Sequence, residues 1–82
     1  MDQDITTTPT VLAGTEVDRW YTMQNLGDIP VRFKVSATQP NATDRSFFLA
    51  HSATANVKHP SGSSVWVWTP RGRSALFYDK GE

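Results

Sequence analysis

Serine, histidine and aspartate stand close together in the middle of the chain and raise the question of hydrolytic chemistry. Ser46, Ser52, His51 and Asp44 supply the side-chain types of a Ser-His-Asp triad. Such a triad needs its serine on a tight turn within reach of the histidine, and the sequence holds no Gly-x-Ser-x-Gly motif. In a short chain rich in serine, these are surface and strand-end residues. We therefore predict no catalytic residues and no enzymatic activity.

The two histidines raise the separate question of a metal site. His51 and His59 are the only histidines, and the chain contains no cysteine. Their spacing is not that of a zinc site, and the lack of thiols excludes disulfides and thiolate metal centres. We predict no metal site and no cofactor.

Basic residues near aromatic ones are a third kind of chemistry, because bases and sugars stack on indole rings. Such a platform would use Arg32, Lys34, Arg71, Arg73, Trp66 and Trp68. However, eight basic and eight acidic residues give a formal net charge of zero, which is not typical of a nucleic-acid-binding protein. We expect no nucleic-acid partner. A small carbohydrate- or nucleic-acid-binding module is the alternative, with Trp20 as a further stacking residue for sugars.

The elements that position these residues are all strands. β-branched and aromatic residues recur in short runs separated by Gly, Pro, Asn and Asp, and no stretch keeps a helical period. The runs predict strands over 6–12, 16–25, 30–36, 46–51, 54–59, 65–69 and 74–79. Six to seven short strands indicate an all-β fold, a small antiparallel β-sandwich or barrel. The last two runs, joined by 70–73, predict a hairpin.

The chain of 82 residues is predicted to be a single β domain, residues 11–82, preceded by an extended N-terminal arm, residues 1–10. Pro9 cannot donate a hydrogen bond to a central strand, so we expect this arm to pair at a sheet edge, including that of a neighbouring molecule. The sequence has no apolar run long enough for a membrane span and no signal-peptide pattern at its start. We expect no membrane partner.

The strand over 65–69 is apolar on both faces. Trp66 and Trp68 point to one side and Val65 and Val67 to the other, because successive side chains alternate along a strand. A strand in a sandwich has one inner face, so the second face needs a cover: another chain, a ligand or the N-terminal arm. The alternative is that the tryptophans form the core and the valines lie half-exposed under loops.

A small core favours the first interpretation, because chains of this size commonly need a partner subunit for stability. We therefore predict a homo-oligomer, a dimer or trimer. Trp, Tyr and Arg are frequent anchors of interfaces. The candidate interface residues are Trp20, Val65, Trp66, Val67, Trp68, Arg71, Arg73, Leu76 and Tyr78.

Two long stretches resemble short structural proteins of tailed-bacteriophage virions. They are AGTEVDRWYTMQNLGDIPVRF over 13–33 and SVWVWTPRGRSALF over 64–77. In those proteins a similar Ala-Gly-Thr phrase leads into a strand and a Pro-Val pair, and a Trp-Val-Trp strand lies near the end. The chain departs from them at 49–52, where Leu-Ala-His-Ser replaces a Leu-x-Pro-Gly turn.

The resemblance implies a small β-sandwich or barrel present in many copies on the virion. It implies a capsid decoration (cement) protein that binds and stabilises the assembled phage head, or a tail or head–tail accessory protein. The implied partners are the major capsid protein or other virion proteins, and the implied location is the virion, after synthesis in the host bacterial cytoplasm. A protein that binds only an assembled lattice stabilises it by mass action.

Overall fold

Strands form where β-branched and aromatic residues alternate along the chain. The computed structural model describes residues 1–80, and within that range lie eight strands: β1 (Asp2–Ile5), β2 (Thr10–Val11), β3 (Trp20–Asn25), β4 (Val31–Ser36), β5 (Phe47–Leu49), β6 (Thr54–Lys58), β7 (Ser64–Trp68) and β8 (Ser74–Lys80). The predicted all-β antiparallel fold is confirmed. The count exceeds the predicted six to seven because β1 lies ahead of the first predicted run, 6–12, which contains β2. No helix within residues 1–80 has the length and apolar character needed to cross a membrane.

The strands form two four-stranded sheets that pack as a sandwich. Sheet A has the order β1-β8-β3-β6, and sheet B has the order β2-β7-β4-β5. The chain passes from one sheet to the other at each connection except the one between β4 and β5. As a result, strands that are consecutive in sequence lie mostly in opposite sheets rather than side by side.

The predicted hairpin of the last two strands is therefore wrong. β7 pairs with β2 and β4, whereas β8 pairs with β1 and β3. Val65 and Val67 of β7 enter the core from sheet B, and Leu76 and Tyr78 of β8 enter the same core from sheet A. The connecting residues 69–73 thus cross between the layers, an arrangement that a hairpin within one sheet does not allow.

The core lies between the sheets and uses one face of each strand. Its buried members are Ile5, Leu12, Tyr21, Met23, Val31, Leu49, Val57, Val65, Val67, Leu76 and Tyr78. On β4, the predicted inward residues Val31, Phe33 and Val35 become progressively less buried along the strand. The core is therefore open at the side of the sandwich that Phe33 and Val35 approach.

The N-terminal residues belong to the sandwich and are not a free arm. The Met1 amino group donates to Tyr78 O at 2.7 Å, and β1 continues along β8 as the edge of sheet A. Gln3 links the sheets, because its Nε2 donates to Val11 O at 3.2 Å and its Oε1 accepts from Ala13 N at 2.9 Å. The segment expected to be an extended arm thus forms the edge of sheet A and closes the β1/β2 side of its own molecule.

Candidate binding groove

The outer face of β7 is covered by the chain's own β4–β5 loop, residues 37–46. Trp68 is fully buried, with 0% of its surface exposed, and its Nε1 donates to Ala42 O at 3.1 Å. Trp66 is half-buried, and its Nε1 donates to Ser36 O at 3.0 Å. The second apolar face of this strand therefore needs no partner molecule.

Polar contacts hold the loop in place over sheet B. Gln39 Nε2 donates to Pro9 O at 2.8 Å, across to the segment before β2. Lys34 Nζ on β4 lies 3.7 Å from Asp44 Oδ2 in the loop. Pro40, which lies between Gln39 and Asp44 in the sequence, is buried. The loop thus works as a structural lid over the outer face of the sheet.

Five of the predicted interface residues are internal, and their assignment to an interface is wrong. They are Val65, Val67, Trp68, Leu76 and Tyr78, each at most 1% exposed. The physical reason is that the opposite sheet covers the inner side chains while the lid covers Trp68. Of the remaining candidates, Trp66 is half-buried, and Trp20, Arg71 and Arg73 are exposed.

A groove of about 730 Å³ opens on the β5/β6 side of the sandwich. It lies opposite the side that Gln3 closes, and residues of β3, β4, β5 and β6 line it together with Arg45 and Ser46. Its apolar lining consists of Trp20, Phe33, Val35, Phe47 and Val57. Trp20 is thus the one predicted interface residue that the structure places in this groove.

Two adjacent phenylalanines dominate the surface here. Phe47 is 69% exposed and stacks on Phe33 with ring centroids 5.5 Å apart. Phe48 points to the opposite face of sheet B, is 59% exposed, and carries the Arg32 guanidinium carbon 4.2 Å above its ring centroid. Large rings left this exposed mark a surface where a partner can bury them.

The charged residues that line the groove are all basic: Lys34, Arg45 and Lys58. Lys34 is partly neutralised by Asp44. Within residues 1–80, neither Arg45 nor Lys58 has a carboxylate oxygen within 4 Å. The groove therefore combines an apolar floor with a positive rim, which suits an apolar segment that carries acidic groups.

Two sheet edges border the groove. β5 ends sheet B and β6 ends sheet A, and among residues 1–80 each has a single neighbouring strand. Their outward backbone N–H and C=O groups are free to pair with another extended segment. An extended polypeptide segment seated along the groove would lie within reach of both edges.

The residues considered for hydrolysis do not come together as a triad. His51 Nδ1 lies 2.8 Å from Gly27 O and 3.8 Å from Asp28 Oδ1. The Ser46 hydroxyl accepts a hydrogen bond from Arg32, and no hydrogen bond between described residues joins it to His51. Within residues 1–80 there is also no group of three or more His, Cys, Asp or Glu residues placed to hold a metal ion.

The sequence pattern did not single out four residues of this surface: Phe47, Phe48, Arg45 and Lys58. A usable signal was present, because two adjacent aromatic residues on a short strand must point to opposite faces. One ring of the Phe47-Phe48 pair must therefore leave the core.

Comparison with known proteins gives no match to this chain: no family model, no curated protein and no solved structure is significantly similar to it.

Proposed function

We propose that this protein is a non-enzymatic structural protein of a tailed-phage virion, a decoration (cement) protein bound in many copies to the assembled head. The groove on the β5/β6 side is its protein-contact site. The observation that carries the proposal is the pair of large aromatic side chains in the groove lining, Trp20 and Phe47, which stay 52% and 69% exposed.

The groove supports a protein partner over a small substrate. It runs beside two unpaired strand edges, which only an extended chain satisfies along its length. Its floor is apolar and its rim is basic. The resemblance of 13–33 and 64–77 to phage structural proteins supports the virion as the setting.

The structure argues against nucleic-acid or carbohydrate binding by the tryptophans of β7. Trp68 has no exposed surface on which a base or sugar ring can stack, and Trp66 is half-buried. Arg32, which would contact phosphate, already lies over the Phe48 ring. The remaining exposed indole is Trp20, which is 52% exposed within the groove.

The proposal is tested with phage heads that lack the protein. Purified protein is added back, the copies bound per head are counted by quantitative mass spectrometry, and the temperature of DNA release is measured. We expect saturable binding and a higher release temperature. Phe47→Ser should reduce occupancy at least about tenfold, because it removes an exposed aromatic anchor worth about 2 kcal/mol at an interface.

Phe77→Ser is the matched control. Phe77 is also an exposed ring, 40% accessible, but it lies on β8, away from the groove lining. It should leave occupancy unchanged, and circular dichroism checks that both variants fold. Equal binding of Phe47→Ser and the unmodified chain contradicts the assignment of the groove. Recovery of the protein with tails instead of heads supports the tail-accessory alternative.

A further inference from the structure

The free edge of sheet A at β6 offers a row of unpaired backbone groups. His59 N donates to Arg19 O at 3.1 Å, and Asn25 N donates to Ala53 O at 3.2 Å, which fixes the alternation of the β3–β6 ladder. In an antiparallel pair, alternate residues bond to one neighbour and those between them point the other way. The N–H and C=O groups of Thr54, Asn56 and Lys58 therefore face outward.

The opposite edge of sheet A, at β1, is equally free. Met1 and Tyr78 exchange both backbone hydrogen bonds, at 2.7 and 2.8 Å. By the same alternation, the backbone groups of Asp2 and Asp4 point away from β8. Each molecule thus carries one outward edge with two aspartates and another with a lysine beside the basic groove.

We propose that the groove side of one molecule binds the β1 edge of a second copy of this chain, so that sheet A continues from molecule to molecule. The inference rests on the proposed function in treating the groove as a protein-contact site, and it names the occupant. Asp2 of the neighbouring copy lies opposite Lys58, and its Asp4 lies opposite Asn56.

The strand directions allow a second copy in the same orientation to continue the sheet. Sheet A has four antiparallel strands, so β1 and β6 run in opposite directions. The β1 strand of an identically oriented copy is then antiparallel to β6. The contact is head-to-tail, and it closes into a ring or extends into a chain, depending on the rotation between copies.

Side-chain direction fits the same register. Asp2 and Asp4 oppose Phe77 and Ala75, which alternate with the buried residues of β8, so both aspartates lie on the outer face. Lys58 alternates with buried Val57 and lies on that face too. Cross-strand pairs of opposite charge stabilise a sheet, and here they form at the new seam.

The apolar surface is complementary as well. The β1/β2 side exposes Met1 and Val11, and the groove side exposes Trp20 and Phe47. Joining the two sides removes apolar surface of both copies from water. By contrast, a two-fold contact between two β6 edges brings two basic rims together, which like-charge repulsion disfavours.

The test measures the self-association of the full chain in solution by sedimentation velocity and light scattering over a concentration series. The unmodified chain should form assemblies whose size grows with concentration. Asp2→Lys and Lys58→Asp should each weaken association about tenfold or more, since each places like charges opposite one another. Asp79→Lys is the control, because Asp79 lies on β8 in the interior of the sheet.

The two weakened variants should rescue each other when mixed. When the two variants alternate in an assembly, each seam places one lysine opposite one aspartate. Association should therefore return to near the unmodified level. The double variant Asp2→Lys/Lys58→Asp should also associate by itself. Circular dichroism checks that each variant folds; all three positions are exposed.

A chain that stays monomeric at every concentration overturns the inference, and so do charge variants that associate normally or a mixture that shows no rescue. Head binding is measured separately. If the protein binds heads but does not self-associate in solution, this inference fails and the proposed function stands. If the protein self-associates but is absent from virions, the proposed function fails and this inference stands.

Discussion

At the residue scale, one buried amide connects segments that are far apart in sequence. Asn25 has no exposed surface, and its Nδ2 donates to Ile29 O and to Leu49 O, both at 2.9 Å. Its Oδ1 accepts from Gly27 N at 3.0 Å and from the Ser74 hydroxyl at 2.7 Å. All four hydrogen-bonding positions of the amide are thus used, and the side chain ties sheet A to sheet B.

Replacing this amide should therefore be costly. Asn25→Leu leaves two buried carbonyls and two donors without their partner, and we expect a loss of about 3 kcal/mol in the free energy of unfolding. Urea denaturation followed by circular dichroism measures it. Asn41→Ala, at an exposed asparagine of the β4–β5 loop, should change stability by less than about 0.5 kcal/mol. Equal midpoints for the two variants contradict the role given to Asn25.

A second residue-scale feature is the ion pair between Glu16 and Lys80, whose Nζ–Oε1 distance is 2.9 Å. The hydrogen bond and charge of Lys80 lower the pKa of Glu16 from its ordinary value of 4.5. The hydrogen bond and charge of Glu16 raise the pKa of Lys80 above 10.5. The pair is exposed, so salt screens it.

The stability that this ion pair contributes should be lost both at acidic pH and at basic pH. The Glu16 contribution is present above pH 4.5 and is lost as pH falls through the lowered pKa of the folded protein. The Lys80 contribution is present below pH 10.5 and is lost as pH rises through its raised pKa. Glu16→Gln should be less stable than the unmodified chain at pH 7, and the difference should disappear in acid and in high salt. In a Lys80→Gln background, where the ion pair is already absent, Glu16→Gln should show a much smaller difference.

At the element scale, the β4–β5 loop is part of the packed structure and not only a connection between two strands. It covers the outer face of β7, and Trp68 becomes an internal residue because of it. A loop of polar and turn-forming residues thus takes the place of the partner that the two apolar faces of β7 predicted. Small sandwiches can complete their folding by this means without a third layer of secondary structure.

Replacing residues 38–45 by a short Gly-Ser turn should uncover Trp68. In a Trp20→Phe/Trp66→Phe background, where Trp68 is the single indole, we expect a red-shifted emission maximum and faster acrylamide quenching. We also expect a loss of about 2 kcal/mol in stability from the apolar surface returned to water. The same background with the loop intact is the control. An unchanged spectrum contradicts the role of the loop as a lid.

At the scale of the whole molecule, the sandwich has one closed side and one open side. Gln3 bridges the sheets beside β1 and β2, whereas the groove separates them beside β5 and β6. The formal net charge is zero, but the two outer edges of sheet A carry opposite charges. A molecule of this kind can join copies without long-range repulsion between them.

Association through these edges should appear in thermal stability. Because a partner that binds only the folded state stabilises it by mass action, the melting temperature of the unmodified chain should rise with protein concentration. Differential scanning calorimetry measures this shift. Lys58→Asp, which weakens the seam, should show a smaller shift over the same range of concentration. A concentration-dependent shift of equal size in both proteins contradicts the proposed seam.

The sequence by itself determined where most strands lie and which side chains alternate along them. The runs over 30–36, 54–59 and 65–69 match β4, β6 and β7 closely, because a half-buried strand imposes a two-residue period on its own residues. That period also separated Val65 and Val67 from Trp66 and Trp68. The all-β class followed from this local information.

The tertiary structure alone decided which strands pair and what covers each face. Alternation assigns two faces to β7, but it does not tell whether sheet, loop or partner covers the second one, and the 37–46 loop does so here. Nor does a turn sequence at 70–73 tell whether the chain reverses within a sheet or crosses to the other sheet. Pairing and coverage depend on contacts between distant residues, so the groove with Phe47, Arg45 and Lys58 became visible only once both sheets were in place.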